Sequence, residues 1–443
     1  MSIKIPALIS AFILIIIAVT LYARKAIESY FHRVDERVSS VTYLDGAHYR
    51  QSAAGLNSAL SAASPNGIVE VPSSATDLSA LAITVPKGVT LRFRGRGTFR
   101  AVIRLTDSTT DNTGIDNIDC PEGATIKLPN NANTDLISDV HFPSLTGTSN
   151  FFGWVNSFIN GCILDGNKAN NTSGFALRIY GRGERLSHVR IQNAAQPTSS
   201  GAGFWTEWGG TESDTIPLNE VECRIEDLVT NYNAGSGWIH KGPNDCQVSQ
   251  FVSDVNGYWG WDVRSPVHAT QVNTFENDNA SPGSTGGIIC HFGGAVLGAD
   301  IVASTATGWG MLAEGTCGGN IMTASSWGAV TGVPLEVRSS SASLYEGQVG
   351  NETSGLAALK LNGAGNGMYF LNFFGGTRTF NVLVSSEVAP NTILAASDGI
   401  PTSWFSGTPA ANDSLLLGAI PGRRGTAISQ YPLRSLRHSA PLP

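Results

Sequence analysis

Seven times between residues 174 and 336 the chain writes one short phrase: a glycine, a large apolar residue, an alternation, then an ionisable side chain. It reads GFALR from Gly174, GFWTE from Gly203, GWIHK from Gly237, GWDVR from Gly260, GIICH from Gly287, GMLAE from Gly310 and GVPLE from Gly332. Successive starts lie 22 to 34 residues apart. Self-similarity at such a period marks a solenoid, in which each repeat buries its apolar face against its neighbours alone.

The columns of the phrase give the strand register. One place after the glycine stand Phe175, Phe204, Trp238, Trp261, Ile288, Met311 and Val333; three places after stand Leu177, Thr206, His240, Val263, Cys290, Ala313 and Leu335. Four places after, every residue is ionisable: Arg178, Glu207, Lys241, Arg264, His291, Glu314 and Glu336. Strand side chains alternate between faces, so the first and third places point inward and the fourth outward. The glycine is read as the turn entering the strand. Asn233 and Asn256 each lie four before their glycines, and Val189, Cys223 and Cys246 each lie 14 before theirs. Each set is expected to stack. A coil of this length with about three short strands is the unit of a parallel β-helix; a propeller blade needs about 40 residues, and the leucine-rich pattern is missing.

Composition agrees. Fifty glycines and 14% charged residues suit many short strands and tight turns rather than a helical bundle. A net charge of −7 leaves no basic footprint for nucleic acid. The six cysteines contain no CxxC pair, so they read as small buried apolar residues, and neither metal nor cofactor is expected. Cys223 and Cys246 come within disulfide range if their coils are neighbours, with stacked free thiols as the alternative. His240, in the inward column, reads as a hydrogen-bonded core histidine, and Asp165 as a turn residue.

The amino terminus is different. Residues 5–23 are apolar and uncharged, long enough to span a bilayer; a cleaved signal and a buried assembly helix are the alternatives. Arg24 and Lys25 follow this segment while Lys4 alone precedes it, which by charge bias puts the body in the cytoplasm. That conflicts with the surface role argued below. Ile27, Phe31, Val34, Val38 and Val41 form a short heptad seam, expected as an oligomeric stalk. The expected division is an anchor or signal over 1–23, a helical stalk over 24–46, a solenoid over 47–400, and a cap with a flexible basic tail over 401–443.

Residues 53–101, beginning "AAGLNSALSAA" and containing "GIVEVP" and "VPKGVTLRFRG", resemble the entry to the pectate-lyase-like right-handed β-helix superfamily, as does "CILDGN" at 162–167. The helix that opens this stretch has an apolar face of Leu56, Ala59, Leu60 and Ala63, suited to capping the solenoid. Within the superfamily the chain looks most like phage tailspikes and polysaccharide depolymerases, which implies a homotrimer and an extended polysaccharide partner. It departs from the catalytic patterns: "RSPVHA" at 264–269 has Ala269 where a pectate lyase motif has a second arginine, and no polygalacturonase carboxylate set is legible. No family's catalytic residues are therefore carried over.

The outward row remains. A solvated polar face explains it, but mixed charges beside Trp205 and Asp262 also suit a groove for an extended glycan. Asp262, Arg264, His291 and Glu314 form its expected catalytic centre, with Trp205, Glu207, Lys241 and Glu336 binding substrate. Glu314 and Glu336, on adjacent coils, would stand about 5 Å apart, the separation of a retaining glycosidase pair. Lys241, Arg264 and His291, on three successive coils, instead suit a lyase, with a base and cations for a uronate. The expected function is binding and cleavage of a surface polysaccharide by a membrane-tethered or virion-borne protein. A non-catalytic adhesin or structural spike is the alternative, and a cytoplasm-facing anchored protein the third.

Overall fold

The computed structural model describes residues 41–419, apart from 65–66, 87, 106–116, 140–153, 156–157, 183, 208–222, 292–295, 306, 316, 318–320, 330–331, 340–341, 388–390, 398–402 and 407–413. The expected anchor, most of the expected stalk and the basic tail lie outside the described residues. Among the described residues no helix is long and apolar enough to cross a membrane. Val41, the last residue of the heptad seam, stands in the strand Val41–Tyr43 rather than in a helix.

The chain is an all-β parallel solenoid, and residues 224–290 show its unit. A long strand, Arg224–Asn231, precedes a short one, Ser236–Lys241. The pattern returns as Cys246–Asp254 with Trp261–Val263, and again as Val267–Asn277 with Gly286–Cys290. Long strands pair in parallel with long, and short with short. Each long strand turns a corner at a residue with left-handed backbone: His188, Asp227, Gln250 and Gln271 have φ of 50 to 55°, one directly above another. Strands also run on to Ser414–Ala419, paired with Thr392–Ser397.

Like side chains stack inside because each coil repeats the last about 4.8 Å away. Phe204, Trp238 and Trp261 form a continuous stack, with ring centroids 5.2 and 5.1 Å apart. Asn233 donates to Asn256 and Asn256 to Asn277, each at 2.8 Å, so the expected asparagine stack exists and extends one coil further. His240 is wholly buried, its Nδ1 2.9 Å from Thr206 Oγ1. Asp165 accepts the Asn167 backbone N–H, as a turn residue should. The helix Ala53–Ala63 starts at Ser52, whose Oγ accepts the Gly55 N–H, and buries Leu56, Ala59 and Leu60.

The phrase holds its register from Gly203 to Gly310 and slips by two at both ends. Leu177, not Phe175, pairs with Phe204, and Leu335, not Val333, pairs with Met311. A two-residue slip keeps every side chain on its face, so alternation alone cannot distinguish the registers. Val189 likewise pairs with Leu228 and does not stack on Cys223. Of the seven glycines only Gly174 has a positive φ, at 110°, and the other six are not turns of that kind. A Cβ on Gly260 would lie 2.6 Å from Asn277 Nδ2 and 2.7 Å from the Gly287 carbonyl oxygen. Gly260→Ala should therefore cost about 1–3 kcal/mol by overpacking, read from a guanidinium unfolding midpoint. An unchanged midpoint would show that the asparagine ladder yields freely.

All six cysteines are paired: Cys120 with Cys162, Cys223 with Cys246, and Cys290 with Cys317. This corrects the reading of them as small buried apolar residues. They are buried, but as bridges between coils.

Candidate functional site

The short strands stack into one sheet whose outward face carries the ionisable row. The middle column of this face is, rung by rung, Arg178, Trp205, Ile239, Asp262, Ile289, Leu312, Glu336 and Lys360. Where the strands end, Glu207, Lys241, Arg264, His291, Glu314 and Arg338 form a second column, each backbone bonded to the rung before.

The charges are paired along the row. Lys241 Nζ lies 3.3 Å from Glu207 Oε1. Arg264 donates through two nitrogens to both oxygens of Asp262, at 2.9 and 2.7 Å. These bonds raise the Arg264 guanidinium pKa despite partial desolvation. His291 Nδ1 is 3.3 Å from Glu314 Oε1. Arg338 bridges two carboxylates, 3.4 Å from Glu314 Oε2 and donating at 2.8 Å to Glu336 Oε1. Trp309 Nε1 also donates to Glu336, at 2.7 Å, and Lys360 Nζ lies 3.2 Å away. Burial alone would raise the Glu336 carboxyl; the hydrogen bonds from Arg338 and Trp309 and the nearby cations outweigh it and hold it below its usual value.

Several expectations change. Trp205 and Asp262 are not exposed, at 8% and 2%, and Glu336 is fully buried. Glu336 belongs to the Leu312 column, so it does not stack beside Glu314 as a free carboxylate partner; Arg338 stands between them. The Trp205 ring is no open platform, because Lys241 Nζ and Arg178 Cζ lie 4.9 and 5.5 Å from its centroid. Lys241, Arg264, His291 and Glu314 do come together on successive rungs.

Trp309, Arg338 and Lys360 were not singled out from the sequence. One signal was available: Glu336 precedes Arg338 by two places as Asp262 precedes Arg264, and both pairs form the same ion pair. Among the described residues no group of three or more His, Cys, Asp or Glu is arranged to hold a metal ion.

The fold is a parallel β-helix. No family model matches the chain, and no curated protein does. Among solved structures it is similar to two from Azotobacter vinelandii. The A-module of mannuronan C-5 epimerase AlgE4 has a TM-score of 0.54 and 13% identity, covering 84% of this chain and 99% of that one. The A-module of mannuronan C-5 epimerase AlgE6 has a TM-score of 0.55 and 12% identity, covering 86% and 100%.

Proposed function

We propose that this face binds a linear polyuronate and that the chain acts by removing the proton next to the uronate carboxylate. The observation that carries this reading is the run Lys241, Arg264, His291 and Glu314 on consecutive rungs. It sets an imidazole, 3.3 Å from a carboxylate, one rung from a guanidinium. His291 takes the proton, Glu314 orients the imidazole, and Arg264, steadied by Asp262, balances the charge that develops on the carboxylate. The intermediate then expels the neighbouring glycosidic oxygen, which takes up the proton held on His291, or regains a proton from water on its opposite face while His291 gives its own to solvent. Hydrolysis fits less well, since it needs a carboxyl held protonated and the Glu336 carboxyl is held in the opposite sense. Mannuronan, named for both structural neighbours, is a polyuronate and supports the substrate class.

The test is the full chain with polymannuronate and polygalacturonate in deuterated water. Deuterium at C-5, unsaturated uronate absorbance and reducing ends are followed together. His291→Ala should slow the reaction by about 10²–10⁴-fold. Full activity in that variant would remove His291 from the mechanism, and reducing ends alone would point to a hydrolase.

A second reading is a non-catalytic binding surface or structural spike. It is favoured by the ion pairing of the row, which decoration would also show; binding without turnover would establish it. Three disulfides support an oxidising, extracellular setting for either reading. Tethering through residues 5–23, a homotrimer, a virion setting and closure of the core by the helix Ala53–Ala63 belong to the proposal in the same way.

A further inference from the structure

The outward face holds one three-residue arrangement twice. At the first station Trp205 Nε1 donates to Glu207 at 3.2 Å, Lys241 pairs with that carboxylate at 3.3 Å, and its ammonium lies 4.9 Å from the Trp205 centroid. At the second, Trp309 Nε1 donates to Glu336 at 2.7 Å, Arg338 donates to that carboxylate at 2.8 Å, and its guanidinium carbon lies 5.4 Å from the Trp309 centroid. In both, a carboxylate holds the indole edge and a cation that covers the indole face. Sequence spacing does not produce the likeness, since the carboxylate lies 2 residues from the indole at one station and 27 at the other.

We propose that these are two sugar-acid stations of one binding face, an inference that rests on the polyuronate reading above. A uronate carboxylate competes for the cation, and the uronate ring takes the indole face the cation leaves. An incoming carboxylate reaches both cations, because Lys241 and Arg338 are each about one-third exposed and their ring contacts are weak; where Arg338 turns away, Lys360, 3.2 Å off, keeps the buried Glu336 paired. A neutral sugar has nothing to draw the cation away, so the face selects acids. The two indoles stand on rungs four apart, from Ala202–Glu207 to Trp309–Ala313, or about 19 Å along the solenoid. A short oligomer reaches one station, whereas a longer one engages both, the second contact being intramolecular.

Binding of the full chain is measured by calorimetry and tryptophan fluorescence. The probes are mannuronate and galacturonate oligomers from the disaccharide upward, with neutral gluco-oligosaccharides of equal length for comparison. Affinity should rise about 100-fold over a narrow range of length, where the oligomer first spans both stations. Trp309→Phe and Lys241→Gln should each abolish that rise, the affinity then climbing smoothly with length. Lys241 sits at the surface, so the second variant keeps the test open if the first does not fold, with circular dichroism as the check. Polyuronate binding with no step in length, or a step unchanged in both variants, overturns the two-station inference and leaves the polyuronate reading standing. No uronate binding at any length overturns both.

Discussion

Reducing the three disulfides is expected to lower the unfolding free energy by about 3–4 kcal/mol for each bridge. That estimate follows from the entropy of closing loops of this length in the unfolded chain, where the paired cysteines are 42, 23 and 27 residues apart. Each bridge joins neighbouring coils, and a solenoid draws its stability from the interfaces between neighbours. Guanidinium unfolding with and without reductant measures the effect. Thiol titration of the denatured chain should find none before reduction and six after. Six thiols without reductant would show that the pairs are not bonded, and an unchanged midpoint after full reduction would show that stacking alone holds the coils.

The second large effect belongs to Glu184. The pairing of Arg185 with Arg224 places it directly beneath Cys223 in the core, where Val189 was expected. It is wholly buried, and its carboxyl oxygens meet no donor from another of the described residues. Burial pushes its pKa up to about 8. Between pH 4.5 and 8 the folded chain keeps a proton that the unfolded chain has lost, so stability falls as pH rises through that window. His240 acts in the opposite sense: burial pushes it down to about 3, so stability falls as pH drops from 6.5 towards 3. The two slopes cancel between pH 4.5 and 6.5, which predicts a plateau there for these groups. Glu184→Met, close in volume and without a charge, should remove the alkaline limb and add about 3 kcal/mol at pH 7, with the gain shrinking towards pH 4. Unfolding curves across this range test it; a gain equal at pH 4 and pH 8 would mean packing, not ionisation, set the difference.

Much of the fold was legible because a solenoid repeats its local chemistry. From Gly203 to Gly310 the glycine phrase and its inward aromatics stack as their spacing implies, and so do the asparagines at 233 and 256. Less was legible where two answers share a pattern. Alternation could not tell Val333 from Leu335 as the partner of Met311, and that slip of two moved Glu336 away from Glu314 and put Arg338 between them. Cys120, Cys162 and Cys317 lay outside the regular phrase, so the bridges Cys120–Cys162 and Cys290–Cys317 had no signal in the spacing.

By itself, then, the sequence determined the architecture: the period of the phrase demands coils, and the alternation decides which side chains face in. The tertiary structure alone decided which charges meet. An ion pair depends on ångström distances between side chains on different rungs, and alternation constrains only the face a side chain takes. Thus Trp205 and Asp262, outward by pattern, end up buried under their neighbours, and both outward indoles acquire a cation from another rung.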